Sequence, residues 1–518
     1  MLLELSPEVK SSVGEIAQNI VENKIASKLA AKDSTIWGKE AEAEASIRLG
    51  WITSATDSVD LVSELRALRK EFHSIGVDRF VLCGMGGSSL APEVITQAEG
   101  KQLFILDTTA PEQVQLAMRD LNRTAVIVSS KSGSTVETDS QKRAFESAFR
   151  ASGIDPIGRI VIVTDPGSPL EKSARETGYR IYNADPNVGG RYSALTAFGL
   201  VPSALAGCDV GELLKSAQLI SPAVSSDSLE NPAIWLAAAL AGRKGVDKFL
   251  IEADQIPSFG DWVEQLVAES TGKNGKGVLP IAVNSGAPEM SLNLLDVTKV
   301  SNSSKSADVY FEGELGELFL VWEYATAIAG WILGINPFDQ PNVESAKVAA
   351  RSLLDSPGQS KDPEFIDRGV AVSTYGMELS GATLESSIEQ LLKRVGSGSY
   401  LSIQAYLPAQ MYPQFEKLRE LAATRLGRPV TFGYGPRFLH STGQYHKGGP
   451  KQGIFLQLTY TPTADLAIPG RPFSFGELIS AQASGDANVL AEAGLPVLSL
   501  GLSDPLDALE LISKSIEA

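Results

Sequence analysis

Ser129-Ser130-Lys131-Ser132-Gly133-Ser134-Thr135-Val136-Glu137-Thr138 follows the apolar run at residues 125–128. The pattern predicts a strand, a turn and then a helix over residues 136–151. One capping hydroxyl satisfies a helix N-terminus, and this segment has a surplus of them. Hydroxyls and free backbone N–H groups donate to anion oxygens, the helix dipole favours negative charge, and Lys131 adds a cation. The segment therefore reads as an anion-binding loop between a strand and a helix.

A second loop of this kind lies upstream. Gly84-Met85-Gly86-Gly87-Ser88-Ser89 follows a predicted strand at 79–83. Its glycines let the backbone approach a ligand closely. Serine at position 89 breaks the G-x-G-x-x-G spacing, so a phosphate is a better candidate than a dinucleotide. Further strands are predicted at 102–106 and 160–164, with helices at 63–74 and 111–120 between and around them. Such alternation implies a parallel sheet covered on both faces, with ligands at the carboxyl ends of its strands.

The pattern repeats after Ser221-Pro222, with a helix at 233–241, strands at 248–251 and 279–283, a long helix at 317–333 and helical periodicity across 343–354. The stretch 355–363, DSPGQSKDP, reads as a linker. Beyond it, strands are predicted at 370–374, 400–405, 430–434 and 454–459, and a helix at 414–425. The expected division is an N-terminal helical segment (1–60), a first α/β domain with the phosphate loops (61–220), a second (221–355), and a C-terminal α/β segment (364–518).

Bulk properties narrow the function classes. Of 518 residues, 43% are hydrophobic and 21% charged, as in an ordinary soluble globular protein. The apolar runs are too short to cross a bilayer, and the first residues lack a basic start followed by an apolar core. No membrane association and a cytoplasmic location are expected. A formal net charge of −17 repels nucleic acid. It also means that any phosphate site must be built locally. Cys83 and Cys208 form no spaced framework, which disfavours a disulfide scaffold or a cysteine-ligated metal.

Together the two loops resemble the sugar-isomerase domain, and SKSGSTVET is a specific match to its serine-rich phosphate clamp. Downstream, Gly189-Gly190-Arg191-Tyr192-Ser193 resembles the GGR[FY]S segment of glucose-6-phosphate isomerases. Glu269-Ser270-Thr271-Gly272-Lys273 resembles their ES-x-GK segment. Asn336-Pro337-Phe338-Asp339-Gln340-Pro341-Asn342-Val343-Glu344-Ser345-Ala346-Lys347 is similar to the signature that ends in their catalytic lysine. These matches keep the family's order and span residues 84–347.

The resemblance implies an α/β fold with two sugar-isomerase-type domains, their parallel sheets flanked by helices, plus the C-terminal α/β extension. It implies interconversion of glucose 6-phosphate and fructose 6-phosphate through a cis-enediolate. Glu269 would be the base that moves the proton between C1 and C2. Arg191 would stabilise the developing oxyanion. Lys347 would help open the sugar ring, with Gln340 near the substrate. Gly87, Ser88, Ser130, Lys131, Ser132 and Thr135 would hold the phosphate. The arginine takes the electrophile's role, so neither a metal nor an organic cofactor is expected. The family also implies a homodimer. A dual phosphoglucose/phosphomannose isomerase and a non-catalytic sugar-phosphate-binding regulator are the competing readings; retention of Glu269, Arg191 and Lys347 together argues against the second.

Two departures stand out. Asn342 replaces the family's usual glycine. The family's ring-opening histidine, expected between the glutamate and lysine segments, is missing from residues 270–346. Of the chain's three histidines, His73 sits in a predicted helix, whereas His440 and His446 lie in a glycine-rich segment at 433–450. That segment resembles the isomerase half of bifunctional transaldolase/glucose-6-phosphate isomerases. An imidazole gives and takes protons near neutral pH, so His440 or His446 is expected to open the ring.

Overall fold

Arg79–Gly84 is apolar on both faces of the strand, and from Phe80 onward it is buried throughout, which suits the middle of a parallel sheet. In the computed structural model, which describes residues 1–342, 349, 351, 352, 354 and 361–518, this strand (β2) lies between β3 (Phe104–Leu106) and β4 (Thr124–Ser129). With β5 (Ile160–Thr164) and β6 (Arg180–Asn183) they form a wholly parallel sheet in the order β3-β2-β4-β5-β6. The two anion-loop candidates emerge side by side, because Gly84 pairs with Ser129 at the ends of adjacent strands.

The second sheet has the order β1-β10-β9-β7-β8. Its strands are β1 (Leu2–Leu5), β7 (Lys248–Glu252), β8 (Leu279–Val283), β9 (Val297–Ser301) and β10 (Val309–Glu312). The N-terminal segment is thus not wholly helical: β1 closes this sheet as an antiparallel edge strand on β10. The helix Phe259–Thr271 follows β7, and its last seven residues are all buried. That total enclosure places Glu269 inside the protein rather than on a helix surface. The helix Leu315–Leu333 is buried on nearly all sides and joins the two sheets through one continuous core.

The third sheet has the order β11-β12-β16-β15-β13-β14. Strands β13 (Tyr400–Ala405), β14 (Val430–Tyr434), β15 (Gly453–Tyr460) and β16 (Val497–Leu502) run parallel. β11 (Phe365–Asp367) and β12 (Val370–Tyr375) add an antiparallel edge. The molecule is therefore α/β with parallel-strand sheets flanked by helices. The helix expected across 343–354 and the linker at 355–363 fall largely outside the described residues.

Candidate functional site

The glycine loop after β2 makes a short turn, Gly86–Ser88, before the helix Leu90–Ala98. Gly87 is required by a close crossing: a Cβ there would stand 2.0 Å from the Gly190 carbonyl oxygen. Gly86 has φ +56°, and its Cβ would stand 2.6 Å from the His440 carbonyl oxygen. The loop is thus wedged between the segment carrying Arg191 and the segment carrying His440. Ser88 is buried at its end.

The serine loop after β4 is already shaped. Ser130 Oγ lies 3.1 Å from Thr135 Oγ1 and accepts from the Gly133 N–H at 3.2 Å. Ser132 Oγ accepts from the Ser134 N–H at 3.3 Å, and both of these serines face solvent. Lys131 donates to the Asp165 carboxylate. Burial lowers the Lys131 pKa and raises that of Asp165, while the pairing opposes both shifts.

Arg191 and Glu269 meet in the interior. They are 3% and 7% exposed, and Arg191 Nη1 lies 3.1 Å from Glu269 Oε1. The guanidinium also donates to Gln340 Oε1 at 3.0 Å, to the Phe338 carbonyl at 2.6 Å and to the Asp339 carbonyl at 3.1 Å. Lys273, 1% exposed, holds the same segment by donating to Asp339 Oδ1 at 2.6 Å and to its carbonyl. Burial, followed by the nearby Arg191 charge, pushes the Lys273 amine down to about 8, with Asp339 opposing.

The other Glu269 oxygen leads to the histidine segment. Gln265, one helical turn earlier, donates from Nε2 to Glu269 Oε2 at 3.2 Å and to the His440 carbonyl at 2.8 Å. The His440 ring turns to Glu137, with Nε2 3.0 Å from Oε1. Glu137 also accepts from Gln482 Nε2 at 2.7 Å. An unbroken run of contacts therefore joins the serine-loop helix to His440, Gln265, Glu269 and Arg191.

A profile of the family described as phosphoglucose isomerase matches residues 61–281. A probable glucose-6-phosphate isomerase from Methanococcus maripaludis is 28% identical over 394 residues, covering 63% of this chain and 89% of its own. A glucose-6-phosphate isomerase from Caldanaerobacter subterraneus is 28% identical over 414 residues, 64% of this chain and 91% of its own. Residues 61–281 thus match the phosphoglucose isomerase family. The crystal structure of a glucose-6-phosphate isomerase from Chlamydia trachomatis matches the fold with TM-score 0.53 and 18% identity, covering 67% of this chain and 86% of that one.

Arg191, Glu269 and Gln340 come together, His440 joins them through Gln265, and Gly87 packs against the arginine segment. Lys347 lies outside the described residues. His446 is placed elsewhere: its Nδ1 lies 2.8 Å from the Tyr400 hydroxyl, its ring stacks on Tyr400 and meets Phe455 edge-on. Burial, with Lys447 adding, pushes it down to about 3. Sequence reasoning gave no role to Glu137, Gln265, Lys273 or Asp339. Three of them lie inside the motifs, and Gln265 lies one helical turn before Glu269, outside them.

Proposed function

We propose that the chain is an aldose–ketose isomerase that interconverts glucose 6-phosphate and fructose 6-phosphate. The observation that carries this reading is the buried Arg191–Glu269 pair, 3.1 Å apart, beside two loops suited to a phosphate. The substrate phosphate binds Ser130, Lys131, Ser132 and Thr135 at the start of the helix Val136–Ala151, with Gly87 and Ser88 of the neighbouring turn beside it. In the open-chain aldose, Glu269 takes the C2 proton and the carbonyl oxygen at C1 becomes negative. Arg191 stabilises that charge in the enediolate, and Glu269 returns the proton to C1. The C2 hydroxyl proton is lost and the C1 oxygen gains one, which leaves the ketose.

Ring opening precedes this and needs a proton given to the ring oxygen and one taken from the anomeric hydroxyl. His440 is assigned this step, with Glu137 fixing the imidazole and balancing its charge. The family assigns Lys347 a share in it. His446, enclosed with Tyr400 and Phe455, is not given a part. The groups described above come from one chain, and the resemblance extends the proposal to a homodimer. The proposed location is the cytoplasm, which suits the two buried free thiols of Cys83 and Cys208.

The test is glucose 6-phosphate formation from fructose 6-phosphate, followed with a coupled dehydrogenase in the presence of EDTA. Sustained turnover supports the reading. Turnover lost on chelation and restored by a divalent ion contradicts it.

A further inference from the structure

A cleft of about 860 Å³ lies apart from the Arg191–Glu269 pair, neither of which lines it. It opens where β7 and β8 end, with Asp254 and Ser285 on its rim, and it runs along β13 and β14 of the third sheet. Its size is that of a small-molecule site, and the carboxyl ends of parallel strands are where such sheets bind ligands.

The cleft carries excess negative charge. Asp254, Asp261, Glu416 and Glu420 line it, beside the Glu264 carboxyl. Most of its cations are already committed. Arg437 is shared among Glu93, Asp107 and Asp261, and Arg419 pairs with the buried Glu289 and, at 3.8 Å, with Glu420; Lys417 is the remaining cation among the described lining residues. Burial in the cleft, with Asp261 adding, pushes the Glu264 carboxyl up to about 8. Burial also raises Asp261, with Arg437 opposing.

An independent feature points to a donor ligand. Gln404 is 2% exposed and its Oε1 has no hydrogen-bond partner. Its neighbours Ile403 and Ala405 belong to the apolar core of the third sheet. Strand alternation turns Gln404 to the opposite face, toward the cleft that it lines. Buried acceptors are almost always paired in folded proteins.

We propose that this cleft binds an organic polycation of the linear di- or triamine class. Ammonium groups supply both the charge that the carboxylates lack and the N–H that Gln404 lacks. Among the described residues, no three His, Cys, Asp or Glu side chains are grouped to hold a metal ion. The negative charge is spread along the cleft, which suits an extended cation better than a single ion.

Calorimetric titration of spermidine into the full chain at physiological ionic strength tests this, with Mg²⁺ as a control for simple charge screening. The expected result is saturable single-site binding that equimolar Mg²⁺ does not displace. Glu416→Gln and Gln404→Leu should each weaken it about tenfold or more, since each removes a direct partner, while fructose 6-phosphate turnover persists. Glu416 is exposed, so its variant remains informative should Gln404→Leu fold poorly. Absence of saturable binding, unchanged affinity in the folded variants, or displacement by equimolar Mg²⁺ would overturn the proposal.

Discussion

The guanidinium of Arg191 lies 3.1 Å from the carboxylate of Glu269, a pair that joins the turn Gly190–Tyr192 after β6 to the helix Phe259–Thr271 after β7. Each is the other's counter-charge in the free protein. A sugar carbonyl that displaces this contact would meet a base and an electrophile held at one place.

Arg191 should not tolerate lysine. Its fork serves Glu269, Gln340 and two backbone carbonyls at once, and an ammonium cannot reproduce that geometry. Arg191→Lys is expected to lower kcat by about 10²-fold or more while circular dichroism stays unchanged. Steady-state kinetics with fructose 6-phosphate checks this.

Lys273 should set an alkaline limit. Its amine falls from the ordinary 10.5 to about 8 because burial and Arg191 disfavour its charge. Below pH 8 the ammonium is charged and clamps Asp339, and through that segment holds Arg191. Above pH 8 the charge is lost, so kcat/KM should fall. A guanidinium stays charged through this range, so Lys273→Arg should remove the decline near 8 even if its maximum is lower. An alkaline limb that is the same in both enzymes would show that Lys273 is not its source.

The phosphate loop should act mainly on binding. Lys131→Ala is expected to raise KM by about tenfold or more while changing kcat far less, because the phosphate is held equally in the ground and transition states. The inhibition constant of inorganic phosphate should rise in parallel.

His440 and His446 should part company. His440→Ala is expected to slow turnover of cyclic substrate by about 10²-fold, with solvent exchange on an open-chain phosphate analogue largely spared. Glu137→Gln should follow in the same direction, since it removes the imidazole's charged partner. His446→Gln should leave kcat near the wild-type value and lower Tm instead, because its ring fills space between Tyr400 and Phe455. The reverse pattern would transfer ring opening to His446.

The legible parts of the fold were those where sequence and burial coincide. β2, β4 and β5 are apolar runs buried on both faces, and their order with the intervening helices implied the parallel sheet. β6 escaped notice because Arg180-Ile181-Tyr182-Asn183 is an edge strand, half in solvent. β1 was hidden because its pairing with β10 joins residues more than 300 positions apart. In the site, Arg191 and Glu269 were legible from their motifs. The role of Gln265 as a bridge was not, because it depends on residue 440 crossing the Gly86 turn. Packing of distant segments leaves no local signal. The same holds for His440: its loop was visible, but its partner Glu137 is 303 residues away.

The most direct test of the account is solvent deuterium incorporation at C1 and C2 of the sugar phosphate, measured by NMR for the wild type and Glu269→Gln. Glutamine nearly preserves the side chain's shape and removes its basicity. The account predicts that the wild type incorporates deuterium during isomerisation, that the variant's exchange and kcat fall together by about 10²–10⁴-fold or more, and that the variant still binds inorganic phosphate. Near-normal exchange in a folded Glu269→Gln variant would contradict the account and place the base on another residue.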